Sequence, residues 1–342
     1  MVSPSAFFSS NYAEARAKFR DAAGKAGARL ASHVNGAARG PAAEELATDV
    51  AWFGPADASC VLMTISATHG VEGFCGSGVQ VGSFAVGFAG ELPPDTALLA
   101  VHAINPFGFA WLRRVNEENI DLNRNFVDFA KPLPRNDGYD ELADAICPSE
   151  WNEPVLAAAW MRLDDYAKRH GASGLQQAIT GGQYSRSDGI FFGGAGASWS
   201  RATLMQIADE HLAKARRIAI IDYHTGLGPY GHGERIILHR RDTPALARAR
   251  EWYGDAVTAI ALGTSTSSDL VGDGLTALER TLTRAGKEVT GMALEYGVRP
   301  LIESLDALRA DNWLHLHGKL DSSQGREFKA AIRGVFYGDK ED

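Results

Sequence analysis

An imidazole and a carboxylate stand three residues apart in segment 67–73, directly after the apolar run 61–65. His69 and Glu72 are both metal-ligating side chains, and two ligands at this spacing can close on one metal ion. Ligands in open α/β sheets bind at the carboxyl ends of strands, and a short apolar run is typical of a buried strand. We therefore predict half of a metal site at this strand end, the alternative being a structural histidine in the core.

A second histidine follows a second apolar segment, because His224 comes directly after residues 217–223 and before a glycine-rich loop. With His69 and Glu72 it would complete a three-ligand zinc site whose fourth position stays free, which is the catalytic pattern. Asp222, two residues earlier on the same side of the strand, would orient the imidazole. Each histidine alone fits a structural role equally well, but together they favour one zinc ion per chain.

Glu295 lies inside the apolar segment 289–297. An unpaired buried carboxylate is costly, so this side chain should face a cation, an arginine or water. Beside a metal site it would have a clear role as a general base. The alternative is a surface glutamate on an edge strand.

Arginines and amides are concentrated in segment 113–126, which contains Arg114, Asn123 and Arg124. Arginine binds carboxylates through paired hydrogen bonds, so this segment could hold an anionic substrate group and a developing oxyanion. The alternative is a solvated, charged loop. The segment belongs to a long polar stretch near 105–150, and loops of that length are usually functional or disordered.

The elements that must position these residues alternate between strands and helices. We predict strands near residues 49–53, 60–66, 96–104, 217–223, 235–239 and 289–296. Helices are predicted near residues 12–30, 76–88, 151–170, 199–213, 243–253, 305–315 and 325–332. This alternation predicts a three-layer α/β/α sandwich with a mixed, mainly parallel central sheet.

The chain is expected to form a single domain over residues 1–342, since no linker or repeat divides it. That domain would carry an active-site loop near 105–150 and a glycine-rich, aromatic loop near 181–196. The sequence leaves the oligomeric state open.

Composition excludes several classes of protein. A net charge of −8 argues against a nucleic-acid partner, which usually requires a basic face. No apolar run approaches the roughly 20 residues of a membrane span, and the first eight residues do not resemble a signal peptide. The three cysteines show no CxxC spacing, so we expect reduced thiols and a cytoplasmic protein.

The ordered motifs resemble those of the M14-type zinc carboxypeptidases. Those motifs are His69-x-x-Glu72, Arg114, Asn123-Arg124, His224 and Glu295. Segments 105–108 and 121–126 are similar to segments of that family. Segments 12–16 and 182–194 resemble more closely a bacterial subgroup of M14-like proteins, the DUF2817 group.

The resemblance implies a fold, a reaction and a role for each residue. The implied zinc ligands are His69, Glu72 and His224. Glu295 would take a proton from a zinc-activated water, and Arg114 would polarise the scissile carbonyl. Asn123 and Arg124 would grip the terminal carboxylate of a small peptide or N-acyl amino acid substrate. The implied fold is zinc carboxypeptidase-like.

One departure from the family concerns a mobile tyrosine that classical carboxypeptidases carry about twenty residues before the glutamate. Residues 264–275 contain no tyrosine. We assign Tyr184 to substrate binding; the alternatives are Tyr253 or a site that uses no such tyrosine. Succinylglutamate desuccinylase and aspartoacylase relatives share the zinc and arginine parts but hydrolyse N-acyl amino acids. A carboxypeptidase, such a deacylase and a non-catalytic metal- or ligand-binding relative are therefore the three hypotheses.

Overall fold

The computed structural model of the protein describes residues 3–238, 242–267 and 270–338. Within these ranges eight strands form one sheet. The strands are β1 (Arg29–Arg39), β2 (Glu45–Phe53), β3 (Cys60–Ile65), β4 (Thr96–His102), β5 (Arg217–Tyr230), β6 (Gly233–Ile237), β7 (Val257–Ala259) and β8 (Glu288–Gly297).

The sheet is mixed, with strand order β1-β2-β4-β3-β5-β8-β6-β7. Its centre is parallel, because β3 pairs in parallel with both β4 and β5, and β5 pairs in parallel with β8. Antiparallel pairs lie on either side, between β1 and β2, β2 and β4, and β6 and β8. The carboxyl ends of β3, β5 and β8 therefore meet at one edge.

Eleven α-helices lie in the described part of the chain. They are α1 (Tyr12–Lys25), α2 (Gly73–Ala85), α3 (Pro106–Ala110), α4 (Leu122–Asn125), α5 (Asp137–Ile146), α6 (Glu153–Thr180), α7 (Trp199–Leu212), α8 (Pro244–Tyr253), α9 (Gly274–Arg284), α10 (Leu301–His317) and α11 (Ser323–Phe336). None of the helices in the described ranges combines the length and apolar character needed to cross a membrane.

The central strands are covered on both faces. Alternate side chains of a strand point to opposite sides of the sheet, so each face has its own packing partners. In β3, Met63 packs in a cluster that includes Ile207 of α7 and Leu278 of α9. The neighbouring Leu62 packs instead against a cluster that includes Phe19 of α1. Helices thus lie on both sides of the mixed sheet, which confirms the predicted three-layer α/β/α sandwich.

Helix α1 is shorter than the helix predicted near residues 12–30. It begins at Tyr12, where the Asn11 side chain accepts a hydrogen bond from the Glu14 amide, but it ends at Lys25. The rest of that prediction is wrong, because β1 starts at Arg29 and continues beyond residue 36. This strand lies at the sheet edge and is largely exposed, so it lacks the apolar run by which the buried strands were found.

Other elements differ from the prediction in extent. The stretch 105–150 contains α3, α4 and α5, and the helix predicted over 151–170 continues to Thr180 through a break at Gly171, whose φ is +77°. Neither β7 nor α9 was predicted. The strand predicted over 235–239 ends at Ile237, and His239 lies outside the described residues.

Candidate active site

The candidate ligands meet at the carboxyl edge of the parallel strands. His69 follows β3 by four residues, and Ile65 at the end of β3 pairs with Asp222 of β5. Two residues further along β5, His224 pairs with Glu295 of β8. The sheet register therefore brings together side chains from three distant parts of the chain.

Three donor atoms converge at this edge in an arrangement that could hold a metal ion. The Nδ1 atom of His69 lies 2.9 Å from Oε1 of Glu72, and Nδ1 of His224 lies 3.0 Å from Oε2. One ligand atom from each residue lies within 4.8 Å of the other two. All three residues are buried, and two imidazoles with one carboxylate form a catalytic zinc donor set. These residues fit zinc.

Buried carboxylates hold the far side of each imidazole. Oδ2 of Asp222 lies 3.0 Å from Nε2 of His224, and Oδ1 of Asp121 lies 3.2 Å from Nε2 of His69. The Thr68 hydroxyl donates to Asp222 at 2.9 Å. At His224 the carboxylate at Nε2 orients the ring and leaves Nδ1 as the ligating nitrogen. At His69, Nε2 also lies 2.8 Å from Nη2 of Arg114, and Nδ1 is the nitrogen that faces Glu72.

Glu72 lies at the end of a one-turn 3-10 helix, Gly70–Glu72, which packs against the segment that carries Arg114. The Gly70 amide donates to the Arg114 carbonyl at 3.2 Å. A side chain at position 70 would bring its Cβ to 2.1 Å from the backbone carbonyl carbon of Gly108. Glycine is therefore required for this close approach, which joins the ligand turn to the arginine.

Arg114 is held by two carboxylates. Its Nε donates to Asp121 at 2.9 Å, and its Nη1 donates to Oε1 of Glu72 at 3.1 Å. Burial alone would lower the pKa of Arg114, but Asp121 and Glu72 raise it above its ordinary value. The guanidinium thus stays charged beside the ligand cluster.

The pKa values of Glu72 and Glu295 shift in opposite directions. Burial raises the pKa of a carboxyl, but His69 and His224 hold the pKa of Glu72 below its usual range. Burial and the nearby Glu72 raise the pKa of Glu295 to about 7. The main-chain amide of Leu227 donates to Oε1 of Glu295 at 2.9 Å, which fixes that carboxyl beside the cluster.

Arg124 is a buried cation without a carboxylate partner among the described residues. Its Nη1 donates to the Asn123 carbonyl at 2.9 Å, its Nη2 donates to the Thr180 carbonyl, and its Nε has no partner in that part of the chain. Burial lowers the pKa of Arg124. The Oδ1 atom of Asn123 accepts from the Gly274 amide at 3.1 Å, which places this pair beside the start of α9.

One cavity of about 390 Å³ connects these groups, a size typical of a small-molecule site. Its polar end is lined by His69, Glu72, His224, Glu295, Arg114, Asn123 and Arg124. The remaining lining is mainly apolar and comes from two sides. One side is formed by α6, α10 and the end of α11, and the other by β5, β6, β8, the start of α9, Phe191 and the segment around Leu270. Seven residues named from the sequence therefore share one cavity: the three candidate metal ligands, the candidate base Glu295, and three residues of segment 113–126.

The two candidate tyrosines lie elsewhere. The Tyr184 hydroxyl donates to the Arg124 carbonyl at 2.6 Å, and Tyr184 is not part of the cavity lining. Tyr253 ends α8, and its ring lies 5.9 Å from the Arg235 guanidinium. Substrate contact by Tyr184 stays a prediction, and its observed contact supports the backbone of the arginine loop.

Sequence reasoning missed the roles of Asp121 and of the apolar helix residues that line the cavity. Asp121 lies in segment 121–126, and its carboxylate contacts both His69 and Arg114. Its signal was present, because a carboxylate seven residues after an arginine in a buried loop requires a partner. Helix residues such as Leu308 carry no such signal, since core and cavity leucines look alike in sequence.

Comparison with known proteins gives a family. Residues 8–342 match the family described as "Protein of unknown function (DUF2817)". No curated protein sequence matches the chain.

Several solved structures are similar in fold at low identity. Carboxypeptidase A from Helicoverpa armigera is 12% identical with a TM-score of 0.47, covering 95% of this chain and 73% of that one. Bovine thrombin-activatable fibrinolysis inhibitor is 10% identical with a TM-score of 0.45, covering 96% and 95%. Succinylglutamate desuccinylase from Chromobacterium violaceum is 18% identical with a TM-score of 0.38, covering 94% and 73%.

Proposed function

The chain belongs to the DUF2817 family, and we propose that it is a zinc-dependent hydrolase of amide bonds next to a free carboxylate. The substrate would be a small peptide or an N-acylated amino acid. The observation that carries the proposal is one cavity lined by a zinc-competent triad, a buried carboxyl and a buried arginine without a carboxylate partner among the described residues.

Arg124 supports binding of a substrate carboxylate. A buried charge without a counterion is unfavourable, and an arginine meets a carboxylate through paired hydrogen bonds. A carboxylate at Arg124 would fix the substrate with its scissile bond toward Glu295 and the ligand cluster, since all of them line the same cavity.

His69, Glu72 and His224 would hold the zinc ion through the two Nδ1 atoms and the carboxylate. When bound there, zinc supplies Lewis acidity that polarises a carbonyl and makes water more acidic. Asp121 and Asp222 would keep both imidazoles oriented during turnover.

Glu295 would move the proton. The Leu227 amide holds its Oε1, so Oε2 would accept a proton from the attacking water and return it to the leaving nitrogen. The Arg114 guanidinium would donate to the carbonyl oxygen as negative charge develops on it. Its ion pairs with Asp121 and Glu72 position the guanidinium before substrate arrives.

The test is hydrolysis of matched substrates by purified, zinc-loaded protein. Dipeptides and N-acyl amino acids with a free carboxyl should be assayed beside the same compounds with the carboxyl converted to an amide. We expect the free acids to be hydrolysed preferentially, with activity lost on chelation and restored by zinc. Equal turnover of the amidated compounds would contradict the carboxylate role of Arg124.

A zinc-loaded protein that hydrolyses none of these compounds would contradict the proposed reaction. It would favour the non-catalytic, ligand-binding hypothesis. Preference for N-acyl amino acids over dipeptides would identify a deacylase, and the reverse preference would identify a carboxypeptidase.

A further inference from the structure

The helices that cover the cavity form an apolar wall with its own chemistry. We define the helix wall as Trp160, Leu175 and Ile179 of α6, Leu305 and Leu308 of α10, and Phe336 of α11. Four of these side chains, Ile179, Leu305, Leu308 and Phe336, are buried members of one hydrophobic cluster. Trp160 and Leu175 are partly buried and pack against it, and this cluster is separate from the cluster of β3, α7 and α9. The wall is therefore a continuous apolar surface that faces the reacting groups.

The helix wall lies beside the reaction centre. The Thr225 hydroxyl, one residue after the ligand His224, is hydrogen-bonded to the Phe336 carbonyl. A side chain at Gly226 would bring its Cβ to 3.1 Å from the Phe336 ring and 3.7 Å from Oε1 of Glu295. A substrate bond held at Glu295 would thus have one flank against Phe336.

Asn123 and Arg124, the proposed carboxylate clamp, lie where α6 ends and α9 begins, because Nη2 of Arg124 donates to the Thr180 carbonyl. Asn123 accepts from the Gly274 amide, and the neighbouring Leu270 and Leu275 line the cavity there. An amino acid held through its carboxylate would place its side chain against those two leucines. The α10 and α11 part of the helix wall, Leu305, Leu308 and Phe336, is then left for the acyl half of the substrate.

The charges in the lining limit what that acyl half can be. Among the lining residues that the structure describes, Arg114 and Arg124 carry the permanent positive charges, and Arg114 is already paired with Asp121 and Glu72. The polar side chains next to the helix wall, Gln176 and Ser304, are uncharged. Arg124 is therefore the one permanent cation of the described lining without an ion-pair partner, which suits one substrate carboxylate.

We propose that the acyl group is a hydrocarbon chain, so that the substrate is an amino acid N-acylated by a medium-chain fatty acid. This inference rests on the proposed function. It favours an apolar acyl group over an acyl group that carries a second carboxylate, such as succinyl. Hydrolysis breaks the amide C–N bond; the water oxygen joins the acyl carbon, the nitrogen receives a proton, and a fatty acid and a free amino acid leave. Burial of each methylene against the wall should improve binding about fourfold.

The first experiment compares N-octanoyl-, N-acetyl- and N-succinyl-leucine, which share one leaving amino acid. We expect kcat/KM for the octanoyl compound to exceed that for the acetyl compound by at least about tenfold, with the succinyl compound slowest. Succinyl or acetyl turnover equal to octanoyl turnover would overturn the inference.

A binding measurement separates this inference from the proposed reaction. Zinc-loaded Glu295→Gln protein should bind N-octanoyl-leucine at least about tenfold more tightly than N-acetyl-leucine, measured by calorimetry. Equal affinities would overturn the apolar acyl site. Tight octanoyl binding together with no hydrolysis by the wild-type protein would support the acyl site and contradict the proposed reaction.

A matched pair of variants tests the wall itself. Ile302 on α10 lines the cavity and is 52% exposed, so Ile302→Lys should fold normally and place a cation at the wall. We expect octanoyl turnover to fall at least about fivefold and succinyl turnover to rise. Leu316→Lys, on the same helix at 44% exposure and outside the cavity lining, should change neither. Unchanged selectivity in Ile302→Lys would overturn the inference.

Discussion

Two buried arginines of the same cavity have opposite surroundings, and this difference assigns their roles. Arg114 is paired with Asp121 and Glu72, so its charge is compensated and its position is fixed. Arg124 donates to main-chain carbonyls, and its Nε has no partner among the described residues. A preorganised donor is suited to a developing oxyanion, whereas an uncompensated cation is suited to a substrate anion.

Replacement of the proposed base should remove turnover and leave the metal site intact. Glu295→Gln keeps the shape of the side chain but cannot accept a proton, so kcat should fall at least about 100-fold. Zinc content, measured by elemental mass spectrometry, should stay at one ion per chain, because Glu295 is not one of the three converging ligands.

The matched control is Glu303→Gln on the exposed surface of α10. It makes the same chemical change and should retain wild-type activity. Near-wild-type turnover by Glu295→Gln would refute the proton-transfer role.

Replacement of the proposed clamp should affect substrate binding more than turnover. Arg124→Lys keeps the charge but loses the paired hydrogen-bond geometry, and we expect KM for free-carboxyl substrates to rise about tenfold or more. Carboxyl-amidated substrates should be affected little. Steady-state kinetics with both substrate types measures the ratio, and an equal loss for both would contradict the clamp.

At the scale of elements, the ligand turn and the arginine segment form one packed unit. The turn Gly70–Glu72 is hydrogen-bonded to the segment that carries Arg114, and Gly70 lies against Gly108. Displacement of either segment should therefore move the candidate zinc ligand Glu72 and the proposed oxyanion donor Arg114 together.

Gly70→Ala tests this unit, since its new methyl group would meet backbone atoms that cannot rotate away. We expect a loss of about 1–3 kcal/mol in the free energy of unfolding, measured by urea denaturation, and weaker zinc binding. Gly90→Ala is the control, because a Cβ there meets nothing within 4 Å. Equal effects of the two substitutions would show that close packing at Gly70 is unimportant.

Among the strands, the buried central ones could be predicted from sequence, whereas an exposed edge strand and a very short strand could not. β3 and β8 were found because strands covered on both faces read as apolar runs. β1 is an exposed edge strand, and its residues continue the polar, alanine-rich composition of α1. β7 has only three residues, which is too short for any periodic pattern.

The candidate site was predictable where chemistry restricts the residue type. Few roles are open to a histidine, glutamate or arginine near the end of a buried strand. Candidate metal ligands, a candidate base and a candidate carboxylate-binding arginine could therefore be named from the sequence. The helix wall could not be named, because Leu305 or Leu308 on a cavity has the same residue type as one in the core. Only the folded arrangement of α6, α10 and α11 shows which leucines line the cavity and which lie in the core.

At the scale of the whole molecule, a buried histidine predicts a pH dependence of stability that is independent of the active site. His102 in β4 is fully buried, stacks on Phe19 at 4.5 Å, and lies 2.9 Å from the Ser77 hydroxyl. Burial lowers the pKa of His102 from 6.5 to about 4. Below pH 6.5 the unfolded chain binds this proton and the folded chain does not, so acidification favours unfolding.

We therefore expect the contribution of His102 to the free energy of unfolding to be complete above pH 6.5. Between pH 6.5 and pH 4 the free energy of unfolding should fall by about 3 kcal/mol because of this residue. Urea denaturation across this range should show a shallower pH slope for His102→Gln than for the wild type. The exposed His232→Gln variant should keep the wild-type slope. An unchanged slope in His102→Gln would contradict this source of acid sensitivity.

The candidate metal ligands are far apart in the chain, since Glu72 and His224 are separated by 152 residues in sequence number. They converge only when β3 pairs with β5, so the unfolded chain has no equivalent site. A metal that binds only the native state shifts the folding equilibrium, by about 4 kcal/mol at a free concentration 1,000 times its Kd. Zinc should accordingly raise the midpoint of thermal unfolding of the wild type and leave His224→Ala unaffected. The lifetime of this protein against proteases would then follow the zinc supply of its surroundings.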